Sequence, residues 1–419
     1  MFAFICFFLA FLRPRTVFCF IPDCNQVMEN VFSWKQIGYN IDGVLYTNDT
    51  NFEKRIDTIH FEDEIEESEE FFTQYNNVPI GMEVHKDLVF VTVPRRRYGI
   101  PSTLNYVRTS HKSPQLKPYP NGQSLEDFIS VYRPKVDSCG RLWMVDTGML
   151  EIPDARRQIR TPQIIVYDLK TDKQVLKYKL KATDLVDERT PAGLTSITVE
   201  VSPEDCEDAY AYINDLATNG LIVFSLKKRD SIRFSHPSFV HNPDALNFTV
   251  AGNLINWKDG IFSTTILDRF EDRVPKSILY HPLVSTEEFL VDAEVFRNGG
   301  NINDYVRRLG SRGPNTQSGS HAFDPITRVV LFANVAQDAI LCWHIDTRMS
   351  PENVQIVVQD HKKLVYISDL KISEGYVWVL VNQIPNFIYS RLNPKEYNYY
   401  IHKGNILNLI KGSVCDKKT

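Results

Sequence analysis

The chain has 419 residues, 43% of them apolar and 12% aromatic, which is enough for a large core. Its formal net charge of −5 gives no electrostatic case for a nucleic-acid partner. Length alone leaves the domain count open, because closed all-β architectures absorb this much sequence without splitting.

Residues 1–12 are almost wholly apolar and too short to span a bilayer, so they read as the core of a secretory signal, followed by Arg13 and Arg15. Cleavage is expected between about Arg15 and Asp23, which assigns 1–22 to the signal and 23–419 to one mature domain. No later segment is long and apolar enough for a membrane helix. The sequons Asn48-Asp49-Thr50 and Asn247-Phe248-Thr249 make Asn48 and Asn247 candidate glycosylation sites. Residues 62–70 carry seven carboxylates in nine positions, and without them the formal charge would be +2. Like charges repel, so this run reads as a solvated loop rather than a cation or basic-partner site. The Arg95-Arg96-Arg97 run reads as a loop for the same reason.

Residues 132–148 are the most informative stretch. Pro134 and Ser138-Cys139-Gly140 punctuate the backbone, Leu142-Trp143-Met144-Val145 forms a short apolar run, and Asp146 ends it. The same pattern of charged turn, apolar strand and polar stop recurs at 86, 140, 207, 258, 327 and 374, so successive units start 47 to 69 residues apart. Each interval fits a four-stranded antiparallel sheet, and six such units predict an all-β, six-bladed β-propeller with strand ends around a central channel. Residues 286–296 and 302–309 carry the few helical signals and are expected as short inserts.

Of seven cysteines, Cys6 would leave with the signal, and Cys139, Cys206, Cys342 and Cys415 are too widely spaced for the CxxC pairs of zinc sites. Disulfides are the expected use. Cys19 and Cys24 either close a small loop or are partly lost on processing. The ten histidines are scattered, with His236 and His241 in a Pro-rich loop, so no metal is expected. There is no G-x-S-x-G, H-E-x-x-H, P-loop or G-x-G-x-x-G pattern, and no cofactor is expected.

If the repeated strands are innermost, Asp146, Asn214, Asp215, Asn334 and Asn382, with Ser368 and Asp369 from a neighbouring segment, converge at one channel mouth. There they could hold a small polar aromatic ligand. The alternative is that they cap strand ends and hydrogen-bond blade to blade, because buried polar groups need partners with or without a ligand.

The motifs Phe32-Ser33-Trp34-Lys35, Thr92-Val93-Pro94-Arg95, residues 130–148, Trp257-Lys258-Asp259-Gly260, Tyr280-His281-Pro282-Leu283, Arg312-Gly313-Pro314-Asn315 and residues 378–390 resemble the insect yellow and major royal jelly protein family, in its yellow branch. The resemblance covers nearly all of the chain except the N-terminal segment and the acidic loop. It implies a six-bladed propeller, with disulfides Cys139–Cys206 and Cys342–Cys415, the second closing the ring. Relatives act in pigmentation or eggshell hardening, convert dopachrome, bind biogenic amines or serve as nutrient proteins, and fold does not choose among them. In the amine binders the segment matching Asn382-Gln383-Ile384-Pro385 supplies an asparagine and an aromatic ring. Here the ring position is Ile384, which removes a contact worth roughly 0.5–2 kcal/mol. Dopachrome conversion would need an acid, a base and a charge stabiliser, for which Asp146, Asp215, Asp369 and Arg95 are candidates. The partner is thus expected to be a small aromatic amine or catechol-derived molecule, with extracellular matrix proteins as a further class.

Overall fold

A strand sandwiched between neighbouring sheets buries both faces and therefore reads as a continuous apolar run. Arg141–Asp146, Gly220–Ser225, Val329–Asn334 and Ala339–His344 are of this kind, buried at every position. The computed structural model describes residues 21–51, 70–112, 114–152, 155–187, 190–268 and 276–417. Among these, strands dominate and assemble into six four-stranded antiparallel sheets.

Blade 1 comprises Gly81–His85, Leu88–Thr92, Leu104–Arg108 and Lys117–Pro118, and blade 2 comprises Lys135–Val136, Arg141–Asp146, Gln163–Asp168 and Lys173–Lys179. Blade 3 follows with Leu194–Val201, Ala209–Asp215, Gly220–Ser225 and Asp230–Ser235. Blade 4 has Ile261–Leu267, Ser277–Pro282, Glu287–Asp292 and Arg307–Ser311. Blade 5 is Ser318–Asp324, Val329–Asn334, Ala339–His344 and Val354–Gln359, and blade 6 is Ile367–Ser373, Tyr376–Val381, Tyr399–Asn405 and, outermost, Glu29–Trp34. First strands of successive blades touch one another in a closed ring, which makes them the channel wall. Blades must approach closely there. A Cβ on Gly81 would sit 2.2 Å from the Tyr132 carbonyl oxygen, so the entry to blade 1 needs glycine.

This architecture is the expected six-bladed propeller, with one shift of phase. Five of the six repeated units are second strands, whereas the unit at 258 leads into Ile261–Leu267, an inner strand. Inner strands face the channel and carry hydroxyls and charges, as in Leu194–Val201 and Ser318–Asp324, so a search for apolar runs passes over them. The helical expectation is also corrected. Most of 286–296 and the end of 302–309 lie in the third and fourth strands of blade 4, and only Ala293–Arg297 is helical. Glu288, Phe289, Leu290 and Val291 are all buried in the wall, and that tertiary burial overrides helical propensity.

Ring closure is carried by hydrogen bonds. Glu29–Trp34 pairs antiparallel with Tyr399–Asn405, so the N-terminal strand completes the last blade. Disulfides Cys139–Cys206 and Cys342–Cys415 are both present. The first joins equivalent turns of blades 2 and 3, and the second fastens the tail after blade 6 to the third strand of blade 5. Cys24 is a buried free thiol whose pKa burial pushes up to about 12, while Cys19 lies outside the described residues. The signal segment 1–20 and acidic residues 62–69 also lie outside them. Among the described residues no helix is long and apolar enough to cross a membrane.

Candidate functional site

Second strands end where inner strands begin, so both sets of residues lie at one mouth of the channel, but only the inner set faces it. A cavity of about 270 Å³ opens there. Inner strands and the residues leading into them supply Ile80, Arg133, Thr195, Phe262, Tyr366 and Ser368. Loops add Arg96, Trp257 and Asp259, the hairpin strand Ala155–Gln158 adds Arg156, and the helix Ile384–Tyr389 adds Ile384.

Arg133 is the floor of this cavity. It is 5% exposed, its Nε donates to the Ser368 carbonyl of blade 6 at 2.9 Å, and its Nη1 donates to the Thr195 carbonyl of blade 3 at 3.1 Å. A single guanidinium from blade 2 therefore spans the channel. It also lies 4.6 Å from the Phe262 ring centroid, a cation–π distance. Burial lowers its pKa, opposed by Asp369 and Tyr366, and it stays charged. Trp257 meets Tyr366 edge-on with centroids 6.0 Å apart and stacks on Tyr389 at 6.4 Å, which gives the wall a flat aromatic side.

Asp259 is the cavity's carboxylate. Burial raises its pKa to about 6, against the opposing pull of Arg96, Arg156 and Arg133. A carboxyl tuned near neutrality can take and return a proton at physiological pH. Burial also pushes the Tyr366 hydroxyl well above its ordinary range, so it remains a neutral donor. The cavity thus combines a base poised to accept a proton, three guanidiniums that can hold developing negative charge, and aromatic faces that can stack on a flat ring.

Of the residues singled out from sequence, Ser368 and Ile384 line this cavity. The Ser368 hydroxyl donates to the Ile80 carbonyl at 2.7 Å. Asp146, Asn214, Asp215, Asn334 and Asn382 stand at second-strand ends, Asp369 on the inner strand of blade 6 and Arg95 in a loop, all with their polar atoms committed to protein partners. Asp146 accepts from the amides of Ile129, Ser130 and Gly148 at 2.8–3.1 Å. Asp215 accepts from Gly193 N at 2.7 Å and pairs with Arg233 at 2.9 Å. Asp369 accepts from Met82 N at 3.0 Å and Ser320 Oγ at 2.9 Å, tying blade 6 to blades 1 and 5. Asn214 and Asn382 donate to the carbonyls of Ile261 and Pro79 in the next blades, and Asn334 donates to that of Asn315. Arg95 donates to five backbone carbonyls, including Ile100, Ile129, Pro101 and Leu125 at 2.8–2.9 Å.

The cavity residues passed over in sequence carried a signal. Arg133 opens the 132–148 stretch, Asp259 sits in the Trp257-Lys258-Asp259-Gly260 motif, and Arg96 is the middle of the arginine run. All three precede or lie outside apolar strands, so a reading built on strand ends looked one strand too far from the axis. Candidate sequons Asn48 and Asn247 are both exposed.

Taken together, these features define a closed six-bladed propeller with a charged, aromatic-walled cavity at one channel mouth. Residues 129–415 match the family described as Major royal jelly protein. The chain is 39% identical over 409 residues to L-dopachrome tautomerase yellow-f of Drosophila melanogaster, covering 93% of this chain and 94% of that one. It is 33% identical over 377 residues to a dopaminechrome tautomerase of the same organism, covering 82% and 78%. Against Protein yellow of Drosophila pseudoobscura pseudoobscura it is 35% identical over 356 residues, covering 81% and 62%. A solved structure of a Bacteroides thetaiotaomicron protein of unknown function matches 90% of this chain and 75% of its own with 10% identity and a TM-score of 0.50, a likeness of fold alone. The chain belongs to the major royal jelly protein family, in its yellow branch, and its relatives support a role connected with pigmentation.

Proposed function

We propose that this is a secreted, glycosylated enzyme that tautomerises a catechol-derived aminochrome in the upper cavity, with Asp259 as the base. The observation that carries the reading is Asp259 itself, a carboxyl raised to about 6 inside a cavity that otherwise presents guanidiniums and aromatic rings. In such a reaction a carbon of the reduced ring loses a proton while a quinone oxygen gains one, so composition does not change. Asp259 would take the first proton, Arg133 would face the oxygen that becomes negative, and Trp257 and Tyr366 would hold the bicyclic ring. Two disulfides fit an oxidising, extracellular destination.

Cavity charge also favours one substrate. Arg96, Arg133 and Arg156 outnumber Asp259, so a ligand bearing a carboxylate, as L-dopachrome does, should be preferred to its decarboxylated counterpart dopaminechrome. The same excess disfavours an amine, and Ile384 supplies no ring to offset that. Purified protein should accelerate the loss of L-dopachrome over buffer, and dopaminechrome less. Rates equal to buffer for both would overturn the catalytic reading and leave a binding or structural role in cuticle or eggshell.

A further inference from the structure

The motifs around His281 and Arg312 do not line the upper cavity; they meet inside the wall between blades 4 and 5. His281 lies next to the end of the second strand of blade 4, Glu288 lies on the third, and His321 lies on the inner strand of blade 5. All three are 4% exposed or less. One ligand atom from each falls within 4.8 Å of the others. Each side chain also has an atom with no hydrogen-bond partner, namely His281 Nδ1, Glu288 Oε2 and His321 Nε2. Three unpaired polar atoms in a dry wall are costly unless something pairs them.

The surroundings fix the proton of His281 and orient the ring of His321. His281 Nε2 lies 2.9 Å from the Gly319 carbonyl and 3.2 Å from that of Ser318, and carbonyls only accept, so the proton is on Nε2 and the Nδ1 lone pair is exposed. Ser263 Oγ accepts the His321 amide at 3.0 Å and lies 2.6 Å from His321 Nδ1; in the tautomer that donates Nδ1–H to this oxygen, Nε2 carries the lone pair a metal would take. Arg312 pairs with Glu288 Oε1 and donates to the carbonyls of Ser285 and Thr316, which holds the carboxylate in place. Glu288 Oε1 lies 2.7 Å from His281 Nδ1, an ion-pair distance without hydrogen-bond geometry, so the two atoms face one another across the site. Outer nitrogens tied to carbonyl or hydroxyl and inner atoms left bare is how protein metal ligands are oriented.

We propose that His281, Glu288 and His321 bind one divalent transition-metal ion of the zinc class. Two imidazoles and a carboxylate suit such an ion. His321 and Ser263 also border a cavity of about 280 Å³ at the far end of the channel, which provides a route inward. Arg312 neutralises the carboxylate, so affinity should be weaker than for the same three ligands without an arginine. The site stabilises the blade 4–5 joint and takes no part in the upper cavity.

The test is metal content by elemental mass spectrometry, together with thermal unfolding of the full chain stripped by chelator and then resupplied with zinc. One equivalent should be retained after dialysis in zinc, and zinc should raise the Tm of the stripped protein by at least about 2 °C. Ser263→Ala, which leaves the three ligands intact, should weaken zinc binding about tenfold. His281→Gln/His321→Gln should abolish both the stoichiometric metal and the Tm response. If that variant fails to fold, the wild-type and Ser263→Ala measurements decide alone. A stripped wild-type chain that takes up no equivalent of zinc and shows no Tm response overturns the site, as does stoichiometric metal in the folded double variant.

Discussion

Inner-strand starts and second-strand ends share one mouth of the channel, about 4.8 Å apart in the strand-pairing direction, yet the same residue type serves different ends in the two places. Asp215 and Asp146 stand on second strands, fully buried, with each carboxylate surrounded by backbone amides or a paired arginine. Asp259 stands at an inner-strand entry, where burial and facing guanidiniums set its proton affinity near neutrality. One strand of displacement separates a joint from the proposed base. Carboxylates at strand ends are therefore not catalytic candidates on position alone, and what surrounds them decides.

The largest effect should come from breaking a joint. Asp215→Ala leaves Arg233, 9% exposed, without its carboxylate, and an uncompensated buried charge costs roughly 3–5 kcal/mol. Denaturant titration should show that loss. A loss under about 1 kcal/mol would mean that Arg233 finds water and that the joint is softer than its geometry.

Next comes the proposed base of that comparison. Asp259→Asn should lower aminochrome turnover by about 10²-fold or more. Stability should move the other way. A carboxyl whose folded pKa is raised binds its proton more tightly when folded, so its contribution to stability falls as pH rises from about 4 to about 6, and at pH 7 the ionised group is a cost. Removing the charge should leave stability at pH 7 equal or higher. In the wild type, turnover should fall as pH drops through about 6, and a flat profile from pH 5 to 8 would exclude Asp259 as the base.

Asn382→Ala tests a milder joint. Its amide donates to the Pro79 carbonyl at 2.9 Å and its oxygen accepts from Ile384 N at 3.0 Å, so truncation should cost about 1–3 kcal/mol. Because Asn382 does not line the cavity, KM should hold in the folded protein. A large change in KM at intact stability would return the asparagine to the ligand.

The number of blades was legible because second strands bury both faces and must be apolar, and Cys139, Cys206, Cys342 and Cys415 pair as the family resemblance implied. Site residues were harder to see for the same physical reason. Leu194–Val201 and Ile367–Ser373 mix hydroxyl and charged residues with aliphatic ones, so they lack the continuous run that marks a strand. Arg133 is a lone charge before a two-residue strand, and its span to blades 3 and 6 exists only in the closed ring. His281, Glu288 and His321 lie on three strands of two blades, so no spacing rule for metal ligands could collect them.

Arg156→Gln carries the smallest effect and sharpens the comparison most. Arg156 lies on the hairpin Met149–Ile152 and Ala155–Gln158, inserted between the second and third strands of blade 2, and it borders both the upper cavity and a neighbouring one of about 490 Å³. It is exposed, so its charge is screened and worth at most about 1 kcal/mol, or roughly fivefold in a ratio of rates. Its removal should leave the fold unchanged and lower kcat/KM for L-dopachrome more than for dopaminechrome, narrowing the preference by about that factor, with the difference shrinking in high salt. An equal loss for both substrates would assign Arg156 to the shape of the entrance, and the selection of a carboxylate would then rest on Arg96 and Arg133.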